Sequence, residues 1–191
     1  PHDLDNALAA AALTLECGLV TTTDVEAALA SFVGPPHRLE PLGEAHGVRW
    51  FNDSKATTPH AARAAIAGLE RIVLIAGGKD KHVDLADMAH EPHRIRAVIA
   101  LGETRHAIAE TFEAVDRIEI VDTLDQAVPL AADLARPGDT ILLSPGCASL
   151  DQFTSFEARG DRFRELAAPH LAHAVPATPP ATDRRTNGRP Q

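Results

Sequence analysis

The run Asn52-Asp53-Ser54-Lys55-Ala56-Thr57-Thr58-Pro59 sets a carboxylate, an ammonium group and three hydroxyls in one short stretch. The preceding Gly47-Val48-Arg49-Trp50-Phe51 reads as a strand. Thr58 followed by Pro59 reads as a helix start, with the threonine as N-cap and the proline where its missing N–H costs nothing. A helix N-terminus offers free N–H groups and roughly half a positive charge. With Lys55 beside it, such a loop suits an anionic group. The same residues also describe a well-capped helix carrying two solvated charges, and local chemistry alone does not choose between the two.

Two further stretches could do chemistry. Gly77-Gly78-Lys79-Asp80-Lys81 follows an apolar run, so its glycines let the backbone turn at a strand end and bring Lys79 and Lys81 to the mouth of a site. Either lysine, taken alone, is more often a solvated surface charge. Leu142-Leu143-Ser144-Pro145-Gly146-Cys147-Ala148-Ser149-Leu150-Asp151-Gln152-Phe153 carries Ser144 and Ser149 in a loop that runs into a helix, where a serine is more often a cap than a ligand. No Gly-x-Ser-x-Gly elbow surrounds either serine, which argues against a serine hydrolase. Cys147 has no base near it in sequence and reads as structural. The ten histidines invite a metal, yet His82, His90 and His93 lack ligand spacing and there is no Cys-x-x-Cys, so no metal site is expected. Gly-x-x-x-x-Gly-Lys-Ser/Thr occurs nowhere in the 191 residues.

Composition narrows the class. Hydrophobic residues make up 45% and aromatics only 4%, with no Tyr, so a core must be built from Ala, Leu, Ile and Val. A formal charge of −9 argues against a general binder of nucleic acid or anionic membrane. No apolar run approaches the roughly 20 residues of a membrane span, and no signal peptide is visible. Cys17 and Cys147 show no pairing pattern, which points to a reducing, cytoplasmic setting. The chain opens on Pro1 just ahead of a helical pattern and reads as the tail of something longer.

The elements that must position these residues follow from periodicity and punctuation. An Ala-rich helix is predicted over 6–17, ending before Gly18, and Thr23-Asp24-Val25-Glu26 is read as the capping box of a second helix reaching about Phe32. Gly34-Pro35-Pro36 breaks the chain and marks a domain boundary. Strands are predicted over 39–44 and 48–51, as a hairpin, and then over 71–76, 97–101, 117–121 and 140–143. Helices are predicted over 59–68, 84–90, 104–113, 124–135 (with Thr123 and Gln126 as its capping box) and 153–170. Alternating strands and helices imply an α/β, Rossmann-like, mostly parallel sheet covered on both faces. The expected domains are a helical 1–34, a Rossmann-like 35–172 and an unstructured tail, 173–191, rich in proline. In such sheets ligands bind at the carboxyl ends of strands, where the loops after residues 51, 76 and 143 would converge.

Together with Pro36-His37-Arg38-Leu39-Glu40, Phe156 and Arg159-Gly160, these motifs resemble the Mur ligase family, and within it the D-glutamate-adding branch, from about His2 to about Leu166. Sister ligases carry different residues where this chain has Asp53-Ser54-Lys55-Ala56-Thr57. The resemblance implies an ATP- and Mg2+-dependent ligase that joins D-glutamate to UDP-N-acetylmuramoyl-L-alanine in peptidoglycan precursor synthesis, as a cytoplasmic monomer. Family members have a sugar-nucleotide domain, a central P-loop domain and a Rossmann-like third domain that brings the amino acid. This chain resembles the end of the second and all of the third, so the P-loop, magnesium ligands and carbamylated lysine would precede Pro1. The chain alone is then expected to be inactive, and no catalytic residue is assigned.

By the same resemblance Lys81 and Thr57 bind one carboxylate of D-glutamate, while Ser149 and Phe156 hold the other, Phe156 largely through its backbone. Arg38, Asp53 and Asn6 contact the nucleotide, and Lys55 faces its phosphates. The family's His-Asn-x-x-Asn appears here as His2-Asp3-Leu4-Asp5-Asn6, and an aspartate at position 3 cannot donate as an amide can. Two competing readings are a stand-alone carboxylate-binding α/β module without ATP chemistry and a related Mur or folylpolyglutamate ligase. The 53–57 loop argues against the latter.

Overall fold

The structure, a computed structural model, describes residues 2–172, with side chains from residue 6 onward. The expected tail, 173–191, and the side chain of Asp3 lie outside the described residues.

Two helices lead, α1 (His2–Glu16) and α2 (Thr22–Ser31). The second begins earlier than expected. Thr21, not Thr23, is the N-cap: its hydroxyl accepts from Asp24 N at 3.2 Å, and the Asp24 carboxylate accepts from Thr21 N at 2.8 Å. Any of three successive threonines could cap; the one that lets Asp24 reach back from the third helical position wins. The helices pack on each other, and α2 buries no residue fully. Leu8, Leu13, Leu29 and Phe32 are more than half exposed.

A hairpin follows, β1 (Glu40–Ala45) and β2 (Val48–Asn52). Its two turn residues, His46 and Gly47, have φ of 54° and 74°, the left-handed pair that matches strand twist in tight hairpins. The chain then alternates: α3 (Pro59–Ala67), β3 (Ile72–Gly77), β4 (Ile95–Leu101), α4 (Arg105–Thr111), β5 (Ile118–Ile120), α5 (Leu124–Leu134), β6 (Thr140–Leu143) and α6 (Phe156–Leu171). Thr58 caps α3 with Pro59 just inside, and Thr123 with Gln126 boxes α5, both as expected. The helix expected over 84–90 is instead two short 3-10 turns, Ala86–Ala89 and Pro92–Arg94. The Asp84 carboxylate takes Ala86 N at 2.9 Å, and Pro92 lacks the N–H that a continuing helix would need.

The six strands are ordered β1-β2-β6-β3-β4-β5, and every neighbouring pair except β1–β2 is parallel. Successive residues of β3 face opposite sides, so both sides need cover. Ile72, Leu74 and Ala76 join Ile66, Met88, Ile108 and Phe112 under α3 and α4. Val73 and Ile75 join Leu124, Val128, Trp50 and Phe163 under α5 and α6. The parallel order carries the ends of β2, β6, β3 and β4 to one edge.

The opposite edge is pinned by Asp139, whose side chain is fully buried. It accepts from Arg71 Nε at 3.0 Å, from Arg96 and from Arg136 N at 2.8 Å. Burial works to raise its pKa, but these donors outweigh it and hold the carboxyl below its ordinary 3.8. Because the folded value is depressed, the stabilisation is complete above the unfolded pKa and is lost as pH falls through the folded one. Asp139→Asn should cost about 2–3 kcal/mol at neutral pH, since bonds to a charged group are lost in a buried site. In urea unfolding the difference from the parent should hold above pH 5, roughly, and shrink in more acid solution; a difference that grows in acid would contradict this.

Candidate functional site

At the carboxyl edge three loops are stitched by backbone hydrogen bonds. Asp53 N donates to Leu143 O at 2.8 Å, joining the loop after β2 to the end of β6. Gly77 N donates to Pro145 O at 2.9 Å and Lys79 N to Ala148 O at 2.8 Å, joining the loop after β3 to that after β6. Gly146 N returns to Ala56 O at 2.9 Å, so the loop after β6 is bonded to both of the others. Glycine is required at Gly78: its φ is 145°, and a Cβ there would collide with the Ala148 carbonyl oxygen.

Arg159 lies between the loops after β2 and β6. It is 1% exposed and leaves α6 toward the loops. Its Nε donates to Ser54 Oγ at 3.0 Å and Nη2 to Ser54 O at 2.9 Å, while Nη1 and Nη2 both reach Cys147 O at 3.1 Å. Burial pushes its pKa down to about 10, so it stays charged at neutral pH. Ser54 Oγ in turn donates to Phe156 O at 2.8 Å.

The residues singled out in the sequence fall into groups. Lys81, exposed, donates from Nζ to Thr57 O at 3.4 Å, so these two meet although a helix and a strand separate them. The Lys55 ammonium sits 5.7 Å from the centre of the Phe156 ring. Ser149 is 3% exposed and adjoins Ala148, the partner of Lys79. Ser144 is not a cap: its hydroxyl donates to Asp53 Oδ2 at 2.8 Å, and Ser155 caps α6 instead. Asp53 is buried, and its Oδ1 accepts from Leu39 N at 3.0 Å, next to Arg38. Arg38 and Asn6 line a separate groove of about 720 Å3 between α1 and α2, walled mostly by alanine, valine and leucine.

The segment entering β1 is held in strain. His37 and Leu39 have φ of 61° and 41°, unfavourable for residues with side chains. His37 N donates to Glu40 Oε2 at 2.9 Å, Lys55 N donates to His37 O at 3.0 Å, and the His37 ring meets Asn52 Nδ2 at 3.1 Å. These bonds tie the segment that enters the sheet to the candidate site.

Reading the sequence missed a fourth loop, Gly102-Glu103-Thr104, after β4. Thr104 bonds Gly78, Glu103 pairs with Lys79 at 2.6 Å, and Asp151 Oδ2 accepts from Glu103 N at 3.1 Å. Nothing local signals it, since its partners lie far away in sequence. Burial pushes the Cys147 thiol up, in keeping with a structural role. Among the described residues no group of three or more His, Cys, Asp or Glu side chains could hold a metal ion, and no helix is long and apolar enough to cross a membrane.

Comparison with known proteins adds to this geometry. The family pattern described as Mur ligase, glutamate ligase domain, matches residues 37–147. A protein of Aquifex aeolicus named UDP-N-acetylmuramoylalanine--D-glutamate ligase is 38% identical over 168 residues, 86% of this chain and 40% of its own length. One of the same name from Chlamydia caviae is 44% identical over 167 residues, with the same coverage. The chain thus spans about two fifths of the length of these curated relatives. Among solved structures, MurF of Acinetobacter baumannii shares the fold with a TM-score of 0.58 at 21% identity, over 86% of this chain and 38% of that one. FolC of E. coli does so with a TM-score of 0.55 at 21% identity, over 78% and 35%.

If Arg159 is the tie between the loops, Arg159→Met should lower stability by about 2–3 kcal/mol, because buried acceptors lose a charged donor. Exchange of the Lys79 and Gly146 amides should accelerate more than that of strand β4. An unchanged urea midpoint with unchanged exchange would contradict the role.

Proposed function

The chain belongs to the Mur ligase family, and from that premise we propose that it holds D-glutamate for an ATP-dependent ligase that adds this amino acid to UDP-N-acetylmuramoyl-L-alanine. The observation that carries the reading is the meeting of Lys81 and Thr57 at the carboxyl edge of the sheet, 3.4 Å apart. Both match family positions for one substrate carboxylate, and they arrive there from separate loops. Ser149 and Phe156 stand for the second carboxylate, on the loop and helix that Arg159 binds together. The names of the curated relatives support the same substrate.

In this reading the acceptor carboxyl is activated by ATP as an acyl phosphate, and the D-glutamate amine attacks it through a tetrahedral intermediate. The chain's own part is to fix both carboxylates of D-glutamate so that the amine alone is free to approach. Lys81 supplies charge, and the loop after β6 supplies a buried hydroxyl and backbone. The magnesium that the family implies has no ligand set among the described residues, and the chain carries no Walker A sequence.

Nucleotide contact falls to Arg38, Asn6 and Lys55. Asp53 serves that side by holding Leu39 N, and thereby the backbone that presents Arg38. The domain division that fits this reading is residues 1–34 as the end of an ATP-binding domain and 35–172 as the Rossmann-like domain. The exposed apolar side chains of α1 and α2 are consistent with it. A monomer in the cytoplasm fits a soluble precursor and a soluble amino acid.

Titrating D-glutamate into the chain by calorimetry tests the assignment. A hydrogen bond to a charged group contributes about 1.5–3 kcal/mol, so Lys81→Ala should weaken binding roughly 10- to 150-fold. Equal affinity in parent and variant would contradict it. The purified chain should also release no phosphate from ATP, with or without D-glutamate. Acceptor-dependent phosphate release would show that the chain carries a nucleotide-hydrolysing site of its own.

A further inference from the structure

We propose that Thr104 is the positioning residue that sets both carboxylate subsites, an inference that rests on the D-glutamate reading above. Thr104 stands at the N-cap of α4, the place where a threonine hydroxyl ordinarily bonds its own helix. Here it caps nothing. Its side chain turns to the loop after β3 instead and is buried there, 5% exposed.

The clasp on Gly78 is two-sided. Gly78 N donates to Thr104 Oγ1 at 3.1 Å, and Thr104 N donates to Gly78 O at 3.0 Å. The hydroxyl proton has Gly78 O at 3.2 Å and Cys147 Sγ at 3.5 Å within reach. Gly78 is thereby satisfied on both its N–H and its carbonyl by one residue of another loop. On its far side it lies against the Ala148 carbonyl, which accepts from Lys79 N at 2.8 Å. Gly78 and Lys79 are therefore held between the loop after β4 and the loop after β6.

Both subsites hang on this point. Along one direction the chain runs from Lys79 through Asp80, whose carboxylate takes His82 N at 2.7 Å, so Lys81 leaves a closed turn. Across the bridge, Ala148 is followed by Ser149. The ion pair of Lys79 with Glu103 at 2.6 Å adds a second fastening between the same two loops. Thr104 touches none of the residues assigned to the ligand and acts on them through Gly78 and through Cys147, two positions before Ser149.

The hydroxyl is the essential atom. Valine keeps the shape but leaves the buried Gly78 N–H without an acceptor, and an unsatisfied buried donor drives local rearrangement. Serine keeps the acceptor. With D-glutamate as the probe, Thr104→Val should weaken binding roughly tenfold, and Thr104→Ser should stay within about twofold of the parent. Thr104→Ala gives the same comparison if the valine variant does not fold. Exchange of the Gly78 amide should quicken in the valine variant and not in the serine one.

The decisive reading is the coupling with Lys81. If Thr104 acts by placing Lys81, Lys81→Ala should cost less affinity in the Thr104→Val background than in the parent. Full additivity, or parental affinity in Thr104→Val, overturns the positioning role while leaving the D-glutamate site standing. Parental affinity in Lys81→Ala alone overturns both.

Discussion

A charged guanidinium with almost no exposure, Arg159, holds the candidate site together. Carboxylates are the usual partners for such a group, because a buried charge is costly unless it is paired. Here the bonds go to a serine hydroxyl and to two backbone carbonyls on loops that follow different strands. The arrangement makes the loops mutually dependent: neither can move away without leaving the guanidinium unsatisfied in a site closed to water. That dependence explains why the Ser54 loop and the Cys147 loop, far apart in sequence, can present side chains at fixed distances.

The sheet supplies the other half of the constraint. Because β2, β6, β3 and β4 are parallel neighbours, their ends arrive in line, and each following loop has only its neighbours to bond. The Gly77-Gly78 pair lets backbones approach at distances that a side chain would forbid. The Lys81 ammonium is left at the margin of this web. Lys81 is exposed and bonded only weakly, at 3.4 Å, which is compatible with the ligand-binding role proposed for it. Lys79 is committed to Glu103, whose hydrogen bond raises the lysine's pKa above its ordinary value, and is less available.

Much of this was legible in the sequence. The apolar runs of β3 and β6 read as strands buried on both faces, and Thr58-Pro59 and Thr123…Gln126 marked helix starts at the right residues. The failures have local causes. Three consecutive threonines offered three possible caps for α2, and only the reach of Asp24 decides among them. Residues 84–90 have helical composition, but an aspartate bonding its own backbone and a following proline hold them to 3-10 turns. Arg159 entered only as part of a motif, and neither its role nor that of Thr104 could be read, because their partners lie up to 105 and 43 positions away. Thr104 in particular looks like an ordinary cap until the fold shows where its hydroxyl goes.

A crystal structure of the chain soaked with D-glutamate would test the central claim most directly. The account places one carboxylate against Lys81 Nζ and Thr57, the other against Ser149 and the backbone at Phe156, and the amine facing open solvent at the carboxyl edge. Density for the amino acid elsewhere, for example against Arg38 in the groove between α1 and α2, or with its amine buried against Arg159, would contradict it.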